Sequence, residues 1–287
     1  MFSSRDCLFR ERFVTTGHSI YLFILVRQQP HCLLNTYPKN QPTLIEIVCH
    51  RGANEIAPEN TLSAADRSLA WGVDYLEVDV RPSRDGILYV LHDADVGRTT
   101  DGTGLLSTLA SEEVDALDAG SWFSNTFAGE PVPRVETYLN HIRGRARVFF
   151  DVKDADHSSL LDLIDRTGFR SDCFFWSGDP TWSLELSRQA PDLPIKINVN
   201  TPEDVEQAKR EFNARIVEVK LENATDALIE RARAHDIKVM VYHQQKDEDA
   251  FRRILDLNIE MVNLNHADAF LRVAKERSAS NRFCHTD

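Results

Sequence analysis

The chain has 287 residues, 42% hydrophobic and 27% charged, with a formal net charge of −12. This is the composition of a globular protein with room for a sizeable core, and its negative balance argues against nucleic acid or an anionic membrane as partner. The five cysteines, Cys7, Cys32, Cys49, Cys173 and Cys284, are scattered and form no CxxC, which argues against a disulfide framework or a zinc cluster.

In chain order, residues 1–43 come first. Their longest apolar run, "IYLFILV" at 20–26, is too short to span a bilayer, which needs about 20 residues. No small-residue cleavage pattern follows it. The segment reads as a poorly ordered N-terminal extension, with a cytoplasmic location and no stable membrane insertion expected. The polar stretch 35–43 leads into a folded domain at 44–280.

From residue 44 short runs rich in Val, Ile and Phe alternate with amphipathic stretches. Strands are predicted at 45–50, 75–80, 147–153, 173–177, 194–199, 215–221, 238–243 and 261–266, and the clearest helices at 61–71, 158–168, 201–212, 224–235 and 247–257. Thr201-Pro202-Glu203 reads as a helix cap followed by proline at the first helical position, and Gly168 as a helix-ending glycine. Eight strands alternating with helices predict an α/β fold, a (β/α)8 TIM barrel. An open doubly wound sheet is the alternative, but no GxGxxG turn is present. Asp85-Gly86 after the second strand signals a two-residue hairpin, with 87–93 as its return strand. Residues 94–134 then form an insertion expected to lie over the barrel mouth, carrying Trp122, Phe123 and Phe127.

Polar residues recur where barrel strands end. Glu77 and Asp79 lie two apart in "YLEVDV" and share one face; Asp151 and Lys153 repeat the arrangement in "FFDVK". Three inward carboxylates repel one another, and a divalent cation would offset that. All-oxygen ligands favour a hard ion, Mg2+ or Ca2+. Internal salt bridges with Lys153 and Arg51 are the competing account. His50 ends the first strand and His92 the hairpin strand, positions that suit a general acid and a general base. His243 and His266 also end strands and stand second. His18, His31, His141, His157, His235 and His285 read as solvent-facing, and Cys49 as a core residue. Arg51 and Lys153 would suit an anion, most naturally a phosphate.

The motifs "HRG" and "PENT" (50–61), Glu77-Val78-Asp79, His92-Asp93, "RTTDGTG" (98–104), "LDAGSWF" (117–123) and "DVK" (151–153) together resemble the glycerophosphodiester phosphodiesterase family. The resemblance covers most of 46–153 and runs more loosely to about 275. It implies a TIM barrel with one divalent cation held by Glu77, Asp79 and Asp151. It also implies His50 and His92 as the acid–base pair, Arg51 and Lys153 as phosphate ligands, and Glu59 as a brace of the first loop or a member of the site. The implied reaction is metal-dependent hydrolysis of a small phosphodiester to a phosphomonoester and an alcohol, with a neighbouring substrate hydroxyl as the common attacking group.

Three positions depart from that pattern. Asp151 stands where many members have Glu, which also resembles the sphingomyelinase D branch; Tyr242 stands where a Trp is usual; and Asn265 replaces the Asp of a Thr-Asp pair. The last two lie on strands that would line the alcohol side of the pocket, with Tyr242 as a substrate-binding candidate, and suggest a different leaving group, such as a larger polar or sugar headgroup. Competing readings are a lyase or transferase giving a cyclic phosphate or acting on opine-like sugar phosphodiesters, and a catalytically silent anion-binding protein. A metal amidohydrolase lacks the His-x-His pair in strand one.

Overall fold

The computed structural model describes residues 45–283. The expectations for residues 1–43, and for Cys284 and His285, lie outside the described residues. Nine strands are described: β1 (Glu46–Cys49), β2 (Tyr75–Pro82), β3 (Leu88–Val90), β4 (Arg147–Val152), β5 (Cys173–Ser177), β6 (Lys196–Asn198), β7 (Ile216–Lys220), β8 (Lys238–His243) and β9 (Met261–Leu264). Eight run parallel in the order β5-β4-β2-β1-β9-β8-β7-β6. The two ends of that order meet through a parallel bridge between Phe175 and Ile195 and a 3.0 Å bond from the Phe175 amide to the Pro194 carbonyl. The sheet thereby curls into the expected TIM barrel.

Helices α1 (Leu62–Trp71), α3 (Val135–Ile142), α4 (His157–Thr167), α5 (Pro180–Gln189), α6 (Pro202–Phe212), α7 (Asp226–Ala234), α8 (Glu248–Asp256) and α9 (Ala267–Phe283) follow the eight parallel strands, and the short α2 (Ser111–Val114) belongs to the excursion after β3. The caps are those the sequence signals. Thr201 accepts from the Asp204 amide at 3.3 Å, while Asp204 accepts from the Thr201 amide at 3.0 Å, with Pro202 opening α6. Gly168 closes α4 at φ 75°, a left-handed conformation that glycine adopts without steric cost.

The period of two along each strand sorts its residues into two layers. Leu76, Val78 and Val80 of β2, Val148, Phe150 and Val152 of β4, and Val217 and Val219 of β7 belong to the main core between sheet and helices. The alternate residues Val48, Tyr75, Phe149, Phe174, Ile216, Met240 and Met261 fill the barrel interior, where Phe149 stacks on Phe174 at 4.5 Å. Two residues further along the same strands stand Glu77, Asp151, Trp176, Glu218, Tyr242 and Asn263. The barrel is thus apolar at its floor and polar at the ends of its strands, where TIM-barrel sites form.

The hairpin differs from expectation. β2 and β3 pair antiparallel through Val80–Val90 and Pro82–Leu88, leaving five residues, 83–87, between them. Ser83 explains the wider turn: its amide bonds the Ile87 carbonyl at 2.9 Å and its hydroxyl bonds Asp85 at 2.8 Å. Asp85 also accepts from the Ser111 amide and hydroxyl, tying the turn to α2. The excursion has its own small core of Tyr89, Leu91, Val96, Leu106, Val114, Ala119 and Val132.

Candidate functional site

A cavity of about 520 Å³ opens at the ends of the barrel strands, lined on one side by His50, Arg51, Glu77, His92, Asp151 and Lys153. The turn after β1 sets its first edge. Arg51 has φ 56° and Asn60 φ 61°, and the Asn60 amide bonds the Arg51 carbonyl at 2.9 Å. Gly52, at φ 74°, lets this turn lie against α1, since a Cβ there would meet that of Ala64 at 2.9 Å. The turn aims the Arg51 amide at Glu77 Oε2, 2.7 Å away.

Glu77, Asp79 and Asp151 offer oxygen atoms that all lie within 4.8 Å of one another. Both Glu77 and Asp79 are 1% exposed. Burial pushes the Glu77 carboxyl well above the usual carboxylate range, helped by Asp79 and Asp151; burial, then Asp79, raises Asp151 as well. The salt-bridge account is partly met: Lys153 Nζ lies 2.7 Å from Asp151 and 3.1 Å from Asp79, and Arg51 Nε lies 3.4 Å from Asp79. Two cations do not neutralise three acids, however, and Asp151 Oδ1 is buried with no hydrogen-bond partner. This donor set fits a hard divalent cation.

The two histidines have unlike partners. His50 Nδ1 lies 2.8 Å from Asn265 Oδ1, which also accepts from Asn54 at 2.9 Å. An amide oxygen only accepts, so Nδ1 carries the proton and Nε2 keeps its lone pair. Burial, reinforced by Arg51, lowers the His50 pKa to about 4. His92 Nδ1 instead lies 2.6 Å from the Asp93 carboxylate. Arg98 clamps Asp93, which its hydrogen bonds hold down at about 2.

Glu59 stands behind Arg51 rather than lining the cavity. It accepts from Arg51 at 3.0 Å and from both Arg98 terminal nitrogens, at 3.0 and 2.8 Å. Burial alone would raise its pKa, but these two guanidiniums hold it below the usual range. A chain of polar contacts therefore runs Arg51–Glu59–Arg98–Asp93–His92. The sequence reading did not single out Arg98, whose function depends on a loop returning to a partner 39 positions earlier. Tyr242 lines the cavity with its ring edge-on to His50 at 6.0 Å.

Other expectations are corrected. Trp122, Phe123 and Phe127 do not line the cavity; they pack edge to face on one another. The excursion reaches the site through Arg98 instead. His157 is not solvent-facing, since it stacks on Trp182 at 4.6 Å and bonds its carbonyl. His243 and His266 lie outside the cavity lining. Cys49 is fully buried, and its thiol is pushed up to about 12 by burial, as suits a core residue. Missed altogether were Trp176, Lys196, Asn198, Glu218, Lys220 and Asn263, which line the opposite side.

The fold and this mouth define a TIM-barrel protein with an acid cluster, two histidines and flanking cations around one cavity. Sequence comparison carries the class to a family. The chain belongs to the glycerophosphoryl diester phosphodiesterase family, whose profile matches residues 50–269. It is 32% identical over 260 residues to the glycerophosphodiester phosphodiesterase of Bacillus subtilis (strain 168), covering 82% of this chain and 88% of that one. Matches to two further curated relatives span 49% and 36% of their lengths. Among solved structures, a glycerophosphodiester phosphodiesterase from Agrobacterium tumefaciens str. C58 superposes with a TM-score of 0.77 at 37% identity, covering 80% of this chain and 100% of that one. A phosphodiesterase from Oleispira antarctica, in complex with the product sn-glycerol-3-phosphate, shares the fold with a TM-score of 0.74 at 21% identity, covering 81% and 97%.

Proposed function

We propose that the protein hydrolyses small glycerophosphodiester-like phosphodiesters to a phosphomonoester and an alcohol, with one divalent cation, Mg2+ or Ca2+. The observation that carries this reading is the meeting of the three-acid cluster with His50 and His92 at one cavity. Glu77, Asp79 and Asp151 would hold the cation. When bound, it would supply Lewis-acid charge to the phosphoryl oxygens and the attacking hydroxyl.

The protein's own groups divide the remaining work. Arg51 and Lys153 face the anionic phosphate, braced by Glu59 and Asp151 respectively. His50, neutral at pH 7 with Nε2 free, takes the proton of the attacking hydroxyl. His92, whose Nδ1 lies against the Asp93 carboxylate, gives a proton from Nε2 to the departing oxygen, and water then opens the cyclic phosphate so formed, with the two histidines exchanging roles, to give the phosphomonoester. Tyr242 stands on the alcohol side and its phenol stays protonated, because burial and then Glu218 raise its pKa. A reducing, cytoplasmic setting is part of the proposal, supported by the free buried thiols of Cys49 and Cys173. No helix of the described residues is long and apolar enough to cross a membrane.

The test is to incubate the protein with glycerophosphocholine, glycerophosphoglycerol and a sugar phosphodiester, with and without EDTA, and follow products by 31P NMR. A phosphomonoester signal that EDTA abolishes is expected. A persistent cyclic-phosphate signal would replace hydrolysis by the lyase reading, and no turnover of any substrate would favour an anion-binding protein.

A further inference from the structure

Across the barrel from the acids, β6 and β7 form the side of the cavity next to Tyr242. Glu218 and Lys220 lie two apart on β7 and both line the cavity. The strand register sets Asn198 of β6 beside Glu218, and Lys220 beside Tyr242 of β8. The side-chain acceptors of β6 and β7 on this wall are already engaged. Glu218 accepts from the Lys196 ammonium at 2.6 Å on one oxygen and from the Asn263 amide at 3.0 Å on the other. Asn198 Oδ1 accepts from Lys196 at 2.8 Å, and Asn200 Oδ1 from Asn223 at 3.1 Å. Each of these two amides is thereby oriented with its oxygen toward the protein and its NH2 group left over. Neither NH2 group has a hydrogen-bond partner among the described residues, and Asn198 and Asn200 are both exposed in the cavity lining.

The cations of the lining divide in the same way. Arg51 is paired with Glu59, Lys153 with Asp151 and Lys196 with Glu218. Lys220 lines the cavity with no ion pair or hydrogen bond among the described residues. Glu222, two residues on, is not in the lining. The groups that β6 and β7 leave free are thus donors: one ammonium and two amide NH2 groups. A hydroxyl can accept from them. A carboxylate or phosphate offers several acceptor oxygens together with a charge, and charge-assisted hydrogen bonds are about twice as strong as neutral ones. A cationic group arriving here meets like charge.

We infer that Lys220, with Asn198 and Asn200, forms a subsite for a second anionic group, a carboxylate or phosphate carried on the alcohol arm of the diester. The inference rests on the reading of the cavity as a phosphodiesterase site, in which Arg51 and Lys153 face the reacting phosphate and Lys220 is left for the arm. With Mg2+ or Ca2+ saturating, kcat/KM is measured for three diesters that differ at one end only. These are glycerophosphoglycerol, glycerophosphoglycerate, whose outer CH2OH is a carboxylate, and glycerophosphoglycerol phosphate, whose outer hydroxyl is phosphorylated. The wild-type protein is expected to prefer at least one anionic diester by about fivefold, a modest factor because Lys220 is exposed. Raising KCl to about 0.5 M should remove most of that preference. Lys220→Met, with its fold checked by circular dichroism, should bring the ratio to within about twofold through a higher KM for the anionic diester. Lys220→Arg should keep the preference, since it keeps the charge. A wild-type ratio near one for both anionic diesters overturns the subsite alone, and so does a preference that Lys220→Met leaves intact. No turnover of any of the three overturns the phosphodiesterase reading and the subsite with it.

Discussion

At the scale of single residues, the two histidines have unlike partners, on which their proposed duties rest. Burial and then Arg51 lower the His50 pKa and outweigh the Asn265 hydrogen bond, which acts to raise it, so the base of the proposed reaction stays neutral well below pH 6.5. The acidic limb of the kcat/KM profile is expected near pH 4 rather than near the ordinary histidine value. Asn265→Asp places a carboxylate there, which favours imidazolium; the base then protonates at higher pH, and the acidic limb should move up by roughly one to two units. A pH–rate profile with an unmoved limb would remove His50 from the base role. His50→Ala and His92→Ala should each lower kcat by about 10²–10⁴ with the fold intact by circular dichroism. Arg98 acts at one remove, through Asp93 and Glu59. Arg98→Met should therefore reduce kcat and raise KM together, because it loosens both the His92 carboxylate and the Arg51 brace.

At the scale of elements, the strand ends did most to position the site, and the sequence shows how far they could be read. Glu77/Asp79 and Asp151/Lys153 were legible because two-residue spacing in an apolar run puts both side chains on one face. Lys196/Asn198 and Glu218/Lys220 have the same spacing, and Asn263 a matching position in β9. They escaped notice because "KIN" and "VEVKL" resemble an ordinary solvent-facing alternation until the barrel closes around them. Helix α5 carries the same kind of start signal as α6, a capping side chain followed by proline, with Asp179 capping the Thr181 amide at 2.8 Å, and was equally readable. The backbone path of the turn after β1 could not be read, since it depends on positive φ at two non-glycine residues, Arg51 and Asn60, held by Glu77 and Asp79 of the next strand. Gly52 is the inflexible point of that turn. Gly52→Ala should destabilise the fold by roughly 1–3 kcal/mol in urea unfolding, because its methyl would enter α1 and its φ would be strained. An unchanged midpoint would mean that the turn relaxes without cost.

At the scale of the whole molecule, the acid cluster would link stability and pH to binding of the proposed cation. Glu77 and Asp151 have pKa values raised in the folded state, by burial first and by neighbouring acids second. A carboxyl with a raised folded-state pKa binds more protons folded than unfolded. Its contribution is therefore fully present below the unfolded value, near 4.5 for Glu and 3.8 for Asp, and is lost as pH rises through the folded value. Without a cation, ionising the cluster at neutral pH thus weakens the fold. A divalent cation binds the ionised acids and competes with their protons. The rise in Tm on adding Mg2+ or Ca2+ should consequently be larger at pH 8 than at pH 5.5. At a concentration one hundredfold above Kd the added stability would be about 2.7 kcal/mol, which for a domain of this size is a shift of roughly 5–10 °C. Glu77→Gln removes one ligand charge, so the same melts should show a much smaller cation shift, and titration calorimetry a weaker Kd. A cation shift equal at both pH values, or undiminished in Glu77→Gln, would place the cation away from Glu77, Asp79 and Asp151.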